Sequence, residues 1–81
     1  PEARVYVHER AGSSELARLA GKFGEAARRA REAGFDGVEV QAGWGELISR
    51  LLSPAFNRRL DDYGGPLYNR ARFLRQVVSA V

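Results

Sequence analysis

The stretch Gly34-Phe35-Asp36-Gly37-Val38-Glu39-Val40-Gln41-Ala42-Gly43-Trp44-Gly45 constrains the fold more than any other part of the chain. Gly34 follows a long amphipathic pattern at the place of a left-handed C′ residue, where glycine ends a helix without a Cβ penalty. Asp36-Gly37 then supplies turn chemistry, and Val38 and Val40 open a β-branched run. Helix stop, tight turn, short strand and glycine-loosened loop together make the αβ half of a βα repeat. In parallel α/β folds the residues just past the carboxyl end of a strand face the ligand, so function is sought between Gln41 and Glu46.

Composition narrows the setting. With 81 residues, no Cys and only His8 as a nitrogen ligand, disulfides and a Cys/His zinc site are excluded and no metal is expected. Nothing approaches the roughly 18 to 20 consecutive apolar residues of a membrane span, and no charged-then-apolar leader opens the chain. A soluble, cytoplasmic protein without a membrane partner is the expectation. The chain begins at Pro1 and stops at Val81 inside an apolar periodic run, as an internal slice of a larger domain would. The net charge of +3 comes from cations interleaved with acids. Arg58, Arg59, Arg70, Arg72 and Arg75 come nearest to a cluster, but a nucleic-acid face gathers its cations more tightly, so no nucleic-acid partner is expected.

Residues 1–12 stay unassigned: Arg4 to His8 alternates as a short strand would, and His8 has no acidic or nucleophilic companion at useful spacing. From Ser14 to Ala33 the helix pattern is strong, with Ser13 or Ser14 as cap, Glu15 in the first turn, and Leu16, Leu19, Ala20, Phe23, Ala27 and Ala30 on one face. In the strand that follows, Val38 and Val40 share one face and Glu39 and Gln41 the other. If Gln41 points into a barrel mouth, Glu39 lies in the interior below it and needs a cation from another strand. The alternative is a one-sided sheet with the valines inward and Glu39 in solvent. Glu46 to Leu52 reads as a short helix ended by Ser53-Pro54, and Gly65 as cap with Pro66 at the first helical position opens a last helix that runs to the end of the chain.

Four blocks in register carry a resemblance: Ala33-Gly34-Phe35-Asp36-Gly37-Val38-Glu39-Val40, Leu51-Leu52-Ser53-Pro54, Asn57-x-Arg59-x-Asp61-x-Tyr63-Gly64-Gly65 and Asn69-Arg70-x-Arg72-Phe73. Over residues 23–81 the chain resembles the middle of the old yellow enzyme family of NADH:flavin oxidoreductases. The resemblance implies an α/β fold and a fragment of a (β/α)8 TIM barrel, comprising the third helix, the fourth strand, its long βα loop and the fourth helix. It also implies FMN as cofactor, NADH or NADPH as electron donor, and a small-molecule substrate such as an activated alkene.

Members of that family usually carry His-x-x-His or His-x-x-Asn after the glutamate-containing strand, to hydrogen-bond the substrate's electron-withdrawing oxygen, and many add a proton-donating Tyr two residues on. This sequence has Gln41, Trp44 and Glu46 at those places. The resemblance thus makes Gln41 and Trp44 substrate-binding candidates and Glu46 the catalytic candidate. Gln41 retains an amide donor, Trp44 offers either an aromatic wall or packing, and Glu46 is either an acid or an i,i+4 partner of Arg50. A barrel that has lost reductase chemistry and serves as a binding or structural module is the competing reading. Asn57, Arg59, Asp61, Tyr63, Asn69, Arg70 and Arg72 are expected to structure the loop. The resemblance places the flavin phosphate near later strands, and the 81 residues alone are expected to be inactive.

Overall fold

The computed structural model describes residues 11–43 and 46–81. Four helices occur among them: α1 (Ser13–Glu32), α2 (Leu47–Leu52), α3 (Leu67–Arg70) and α4 (Arg72–Ala80). None is long and apolar enough to cross a membrane. Helix α1 buries Leu16 and Ala20, one turn apart, against α4, which buries Phe73 and Val77 at the same spacing. The two helices approach closely where Gly24 meets the end of α4: a Cβ on Gly24 would lie 2.8 Å from the carbonyl oxygen of Ala80. Ile48 and Leu51 of α2 and Tyr63 of the loop complete the buried core, with Leu19, Val40, Ala42, Leu52 and Leu74 packed on its edge.

The end of α1 follows its sequence signal. Gly34 adopts φ +97°, its N–H donates to Arg31 O at 3.0 Å, and Phe35 N donates to Ala30 O at 3.1 Å. This paired arrangement is the Schellman closure that a left-handed glycine permits. The start differs from expectation: Gly12 is the cap, both serines lie inside the first turn, and no side chain caps the helix. Packing on α4 sets where α1 begins, so the serine hydroxyls have no deciding role. Phe23, expected on the buried face, sits at the rim of the core at 36% exposure. It meets Phe73 edge to face, with centroids 6.1 Å apart and planes at 81°.

The single last helix expected from Gly65 is instead two. Pro66 is the cap of α3, because Gly65 is left-handed at φ +89°, and Ala71 at φ −88°, ψ 0° separates α3 from α4. Likewise Glu46, expected inside the short helix, is the extended cap of α2.

The expected strand at Val38–Gln41 forms no ladder, and no strand occurs among the described residues. A parallel barrel strand takes its hydrogen bonds from neighbours distant in sequence, and residues 11–43 and 46–81 offer no second strand to pair with. The two-sided character of the segment persists. Val40 and Ala42 pack on the core, while Glu39 and Gln41 are exposed. Val38, Glu39 and Val40 line a small hollow with Phe23, Ala26, Ala27 and Val81, and Val38 itself is 48% exposed.

Candidate functional site

The site grows from the segment after Val40. Gln41 is exposed beside the core-packed Ala42, and Glu46 is exposed at the start of α2. The Glu46 backbone carbonyl accepts from Ser49 Oγ at 2.8 Å and from Arg50 N at 2.9 Å, which closes the first turn of α2. Arg50 lies with its guanidinium 5.5 Å from the Phe56 ring centroid. Trp44 falls outside the described residues. Gln41 and Glu46 therefore stand at the two ends of the candidate ligand segment, each open to solvent.

After that segment comes the loop from Ser53 to Pro66, whose hydrogen bonds involve Asn57, Arg59, Asp61, Tyr63, Asn69, Arg70 and Arg72. Arg59, only 9% exposed, grips Asp61 with two bonds, Nε to Oδ1 at 3.0 Å and Nη2 to Oδ2 at 2.6 Å. Asp61 Oδ1 also accepts from Tyr63 N at 3.1 Å. The Arg59 hydrogen bonds hold the Asp61 carboxyl below its ordinary value, against the opposing effect of partial burial, and the Tyr63 N–H adds to the lowering. Asn57 Nδ2 donates to Leu51 O at 2.6 Å and to Tyr63 O at 2.7 Å, while its Oδ1 accepts from Arg59 N at 3.0 Å.

The start of the last helical region closes the same loop from the other side. Asn69 Nδ2 donates to Gly64 O at 3.0 Å, and Arg72 reaches Asp62 O at 2.7 Å and Asn69 Oδ1 at 3.1 Å. Arg70 donates from Nε to Leu52 O at 3.0 Å and from Nη1 to Gly65 O at 2.6 Å. No buried side-chain nitrogen or oxygen among the described residues lacks a partner. Two participants are not singled out by sequence. Gln76 accepts the Tyr63 hydroxyl at 2.7 Å, and Tyr68 takes the Arg75 guanidinium over its ring at 3.9 Å. A buried tyrosine hydroxyl calls for a partner, but nothing local in the sequence points thirteen positions ahead to Gln76.

The guanidinium groups of Arg59, Arg70 and Arg72 are thus committed to a carboxylate, a side-chain amide or backbone carbonyls, which is a structural use of charge. Among the described residues no group of three His, Cys, Asp or Glu side chains is placed to hold a metal ion.

Comparison with known proteins gives this geometry a family. The sequence model of the NADH:flavin oxidoreductase / NADH oxidase family matches residues 2–81. An NADPH dehydrogenase of Listeria welshimeri is 45% identical over all of this chain and 25% of its own length. The 12-oxophytodienoate reductase 2 of Arabidopsis thaliana is 44% identical over 99% of this chain and 21% of its own. The solved structure of morphinone reductase superposes on 85% of this chain and 18% of that one, at a TM-score of 0.83 and 42% identity. This likeness supports the barrel-fragment assignment. The chain spans about a quarter or less of the length of the curated relatives it matches. From the family match over residues 2–81, the shared structure and the four sequence blocks, the chain belongs to the NADH:flavin oxidoreductase / NADH oxidase family, that of the old yellow enzymes.

Proposed function

We propose that the protein carrying this chain is an FMN-dependent oxidoreductase that takes electrons from NADH or NADPH and reduces activated alkenes or related small-molecule acceptors. In this reading the chain supplies the third helix, fourth strand, long βα loop and fourth helix of a (β/α)8 barrel working in the cytoplasm. The observation that carries it is the division of residues 39–42 into two sides. Val40 and Ala42 pack on the core against the helices, and Glu39 and Gln41 are exposed. Helices cover only the outer wall of such a barrel, so the exposed side corresponds to its interior and Gln41 to the rim where ligands bind.

The residues present fit one edge of a flavin site. Gln41 makes no hydrogen bond to another described residue, so its amide is free for a ligand, whereas Arg59, Arg70 and Arg72 are already occupied and leave the flavin phosphate to other parts of the barrel. Bound FMN would supply the hydride to the activated double bond. The Gln41 amide N–H donates to the acceptor's electron-withdrawing oxygen, where negative charge develops, and orients the acceptor as it does so. Trp44 is the second candidate for contact with the acceptor. Glu46 stands at the family's proton-donor position and is the candidate to deliver the completing proton.

The replacement of the usual imidazole pair and tyrosine by Gln41, Trp44 and Glu46 favours one second reading, a barrel without reductase chemistry that serves as a binding or structural module. Purification of the full-length protein separates the two. A yellow protein whose flavin is reduced by NADH or NADPH and reoxidised by an added cyclic enone under anaerobic conditions eliminates the second reading. A protein that is colourless, or whose reduced flavin ignores the enone, eliminates the first.

A further inference from the structure

We infer that Gln41 selects acceptors whose activating carbonyl carries a cis N–H, the unsaturated cyclic imides and lactams, over ketones and esters of the same shape; this rests on the proposal that Gln41 faces the acceptor. The chain has four carboxamide side chains, Gln41, Asn57, Asn69 and Gln76. Three of them are spent inside the loop network. Asn57 and Asn69 use both their nitrogen and their oxygen, and Gln76 Oε1 takes the Tyr63 hydroxyl. Gln41 alone of the four makes no hydrogen bond to another described residue, and it is exposed. Its chain neighbours Val40 and Ala42 both pack on the core, so the backbone that carries this unspent amide is anchored on either side of it.

The two nitrogens of an imidazole diverge, so a ligand oxygen at one of them meets a donor alone. A carboxamide instead fixes a donor and an acceptor side by side in one plane. When Gln41 Nε2 donates to the acceptor's carbonyl oxygen, Oε1 lies beside the atom next to that carbonyl. If that atom is a ring CH2 or an ester oxygen, Oε1 gives up water and gains no partner, which is costly. If it is an N–H held cis by a small ring, the two amides close a pair of parallel hydrogen bonds. A site with a polar group waiting for an N–H rejects the analogue that lacks it. The chemistry balances as in the proposed reaction. The imide takes a hydride from reduced flavin at one alkene carbon and a proton at the other, its π bond is lost, the saturated imide leaves and the flavin is reoxidised, with NADH or NADPH as the source of electrons.

The test uses the full-length protein. Its reduced flavin is mixed anaerobically with maleimide or N-methylmaleimide, which share ring, carbonyls and alkene and differ in the N–H. The oxidised protein is titrated in a calorimeter with succinimide or N-methylsuccinimide, which cannot be reduced by it. Both preferences are measured in the parent and in Gln41→Met, whose side chain has similar length and no amide. Comparing the two proteins cancels the intrinsic reactivity and bulk of the ligands. The parent should favour the N–H member on the order of tenfold to a hundredfold, in kcat/KM and in Kd, and Gln41→Met should lose about that factor from both. Equal preferences in the two proteins, or a parent that binds neither saturated imide, overturn the inference. Should Gln41→Met fail to fold, Gln41→Leu is read by the same criterion. A parent reoxidised by a cyclic enone and N-methylmaleimide as readily as by maleimide upholds the proposed function and overturns the inference. If the protein carries no flavin, or its flavin is reoxidised by none of the three, the proposed function fails. The titration then decides by the same comparison: a preference for succinimide that Gln41→Met loses sustains selection by Gln41, and any other result overturns it.

Discussion

Replacing Gly64 by alanine probes the tightest backbone approach in the loop. An added Cβ would collide with the carbonyl of Arg59 and lie 2.7 Å from both its carbonyl carbon and its Cβ. Those are backbone and near-backbone atoms, so no side-chain rotation relieves the clash. Arg59 cannot withdraw without disturbing its N–H bond to Asn57 Oδ1 at 3.0 Å and its double grip on Asp61. Forcing an extra methyl into such a place costs about 1–3 kcal/mol. The shift also endangers Gly64 N to Asp61 O at 3.1 Å and Asn69 Nδ2 to Gly64 O at 3.0 Å. At about 1 kcal/mol for each of these bonds, the expected loss is about 3–5 kcal/mol. Urea unfolding of the full-length protein measures it, with two controls. Gly65→Ala meets no atom within 4 Å but must hold φ +89°, at about 1–2 kcal/mol. Gly37→Ala meets neither obstacle. The order of destabilisation should be Gly64, Gly65, Gly37. A Gly64→Ala variant within about 0.5 kcal/mol of Gly37→Ala would refute the reasoning.

Three further outcomes are expected of the full-length protein. Gln41→His combined with Trp44→His raises turnover of a simple cyclic enone, since one well-placed donor at a developing oxyanion is worth on the order of 3 kcal/mol; unchanged turnover with flavin still bound counts against these positions. Asp61, held below its ordinary value by Arg59, contributes stability that is fully present above the unfolded carboxyl value and is lost as pH falls through the lowered folded value. Comparing urea midpoints of the parent and Asp61→Asn from pH 6 downward should show a smaller acid loss in the variant, and parallel profiles would contradict the assignment. Phe73→Ala empties a site with 0% exposure and removes the partner of Phe23, so a loss of about 3–5 kcal/mol is expected in the same unfolding assay.

Features whose causes are local are legible in the amino-acid sequence. The buried stripe Leu16 and Ala20 follows from helical period, and the stop at Gly34 follows from its left-handed closure, because each depends on residues within a turn or two. The loop network is legible for a related reason: Asn57, Arg59 and Asp61 lie two apart and can only bond within their own loop or to what it folds against. Features set at a distance are not. Gly12 displaces the serines as cap because packing on α4 positions α1 as a whole, and Tyr63 finds Gln76 only once α4 has docked. The break at Ala71 leaves no mark in an apolar pattern that continues through it. The alternation at Val38 to Gln41 separates core-packed Val40 from exposed Glu39 and Gln41 but not Val38, which is itself 48% exposed, and it cannot supply a ladder, since the hydrogen-bonding partners of a parallel strand lie elsewhere in a fold. Of the candidate site, the sequence names Gln41 and Glu46 as candidates, whereas the Arg70 guanidinium reaching Leu52 O eighteen positions away has no periodic signature.

The same distinction between local and distant causes fixes the behaviour expected of the 81 residues on their own. Among the described residues seven form the buried core, and Phe35, Val38, Leu47, Phe56, Leu67 and Tyr68 all remain more than 40% exposed. The structure presents 6422 Å² of accessible surface, whereas a self-contained domain of 9.0 kDa presents about 4,900 Å². Surface left in water contributes nothing to folding, and a chain of this size is marginal even when its core is complete. The α1 sequence carries its own closure at Gly34 and two surface ion pairs well inside hydrogen-bonding distance, Glu15 with Arg18 and Arg28 with Glu32, so helix persists. The six residues of α2 and the four of α3 have no such support once the core loosens. The isolated peptide should therefore show a helical circular dichroism spectrum that fades gradually on heating, poorly dispersed amide NMR signals and no FMN binding. A cooperative thermal transition with well-dispersed amides would contradict this. It would mean that the Asn57, Arg59 and Arg70 network stabilises the four helices without help from a surrounding barrel, and the assignment of residues 38–42 to a barrel wall would then need another basis.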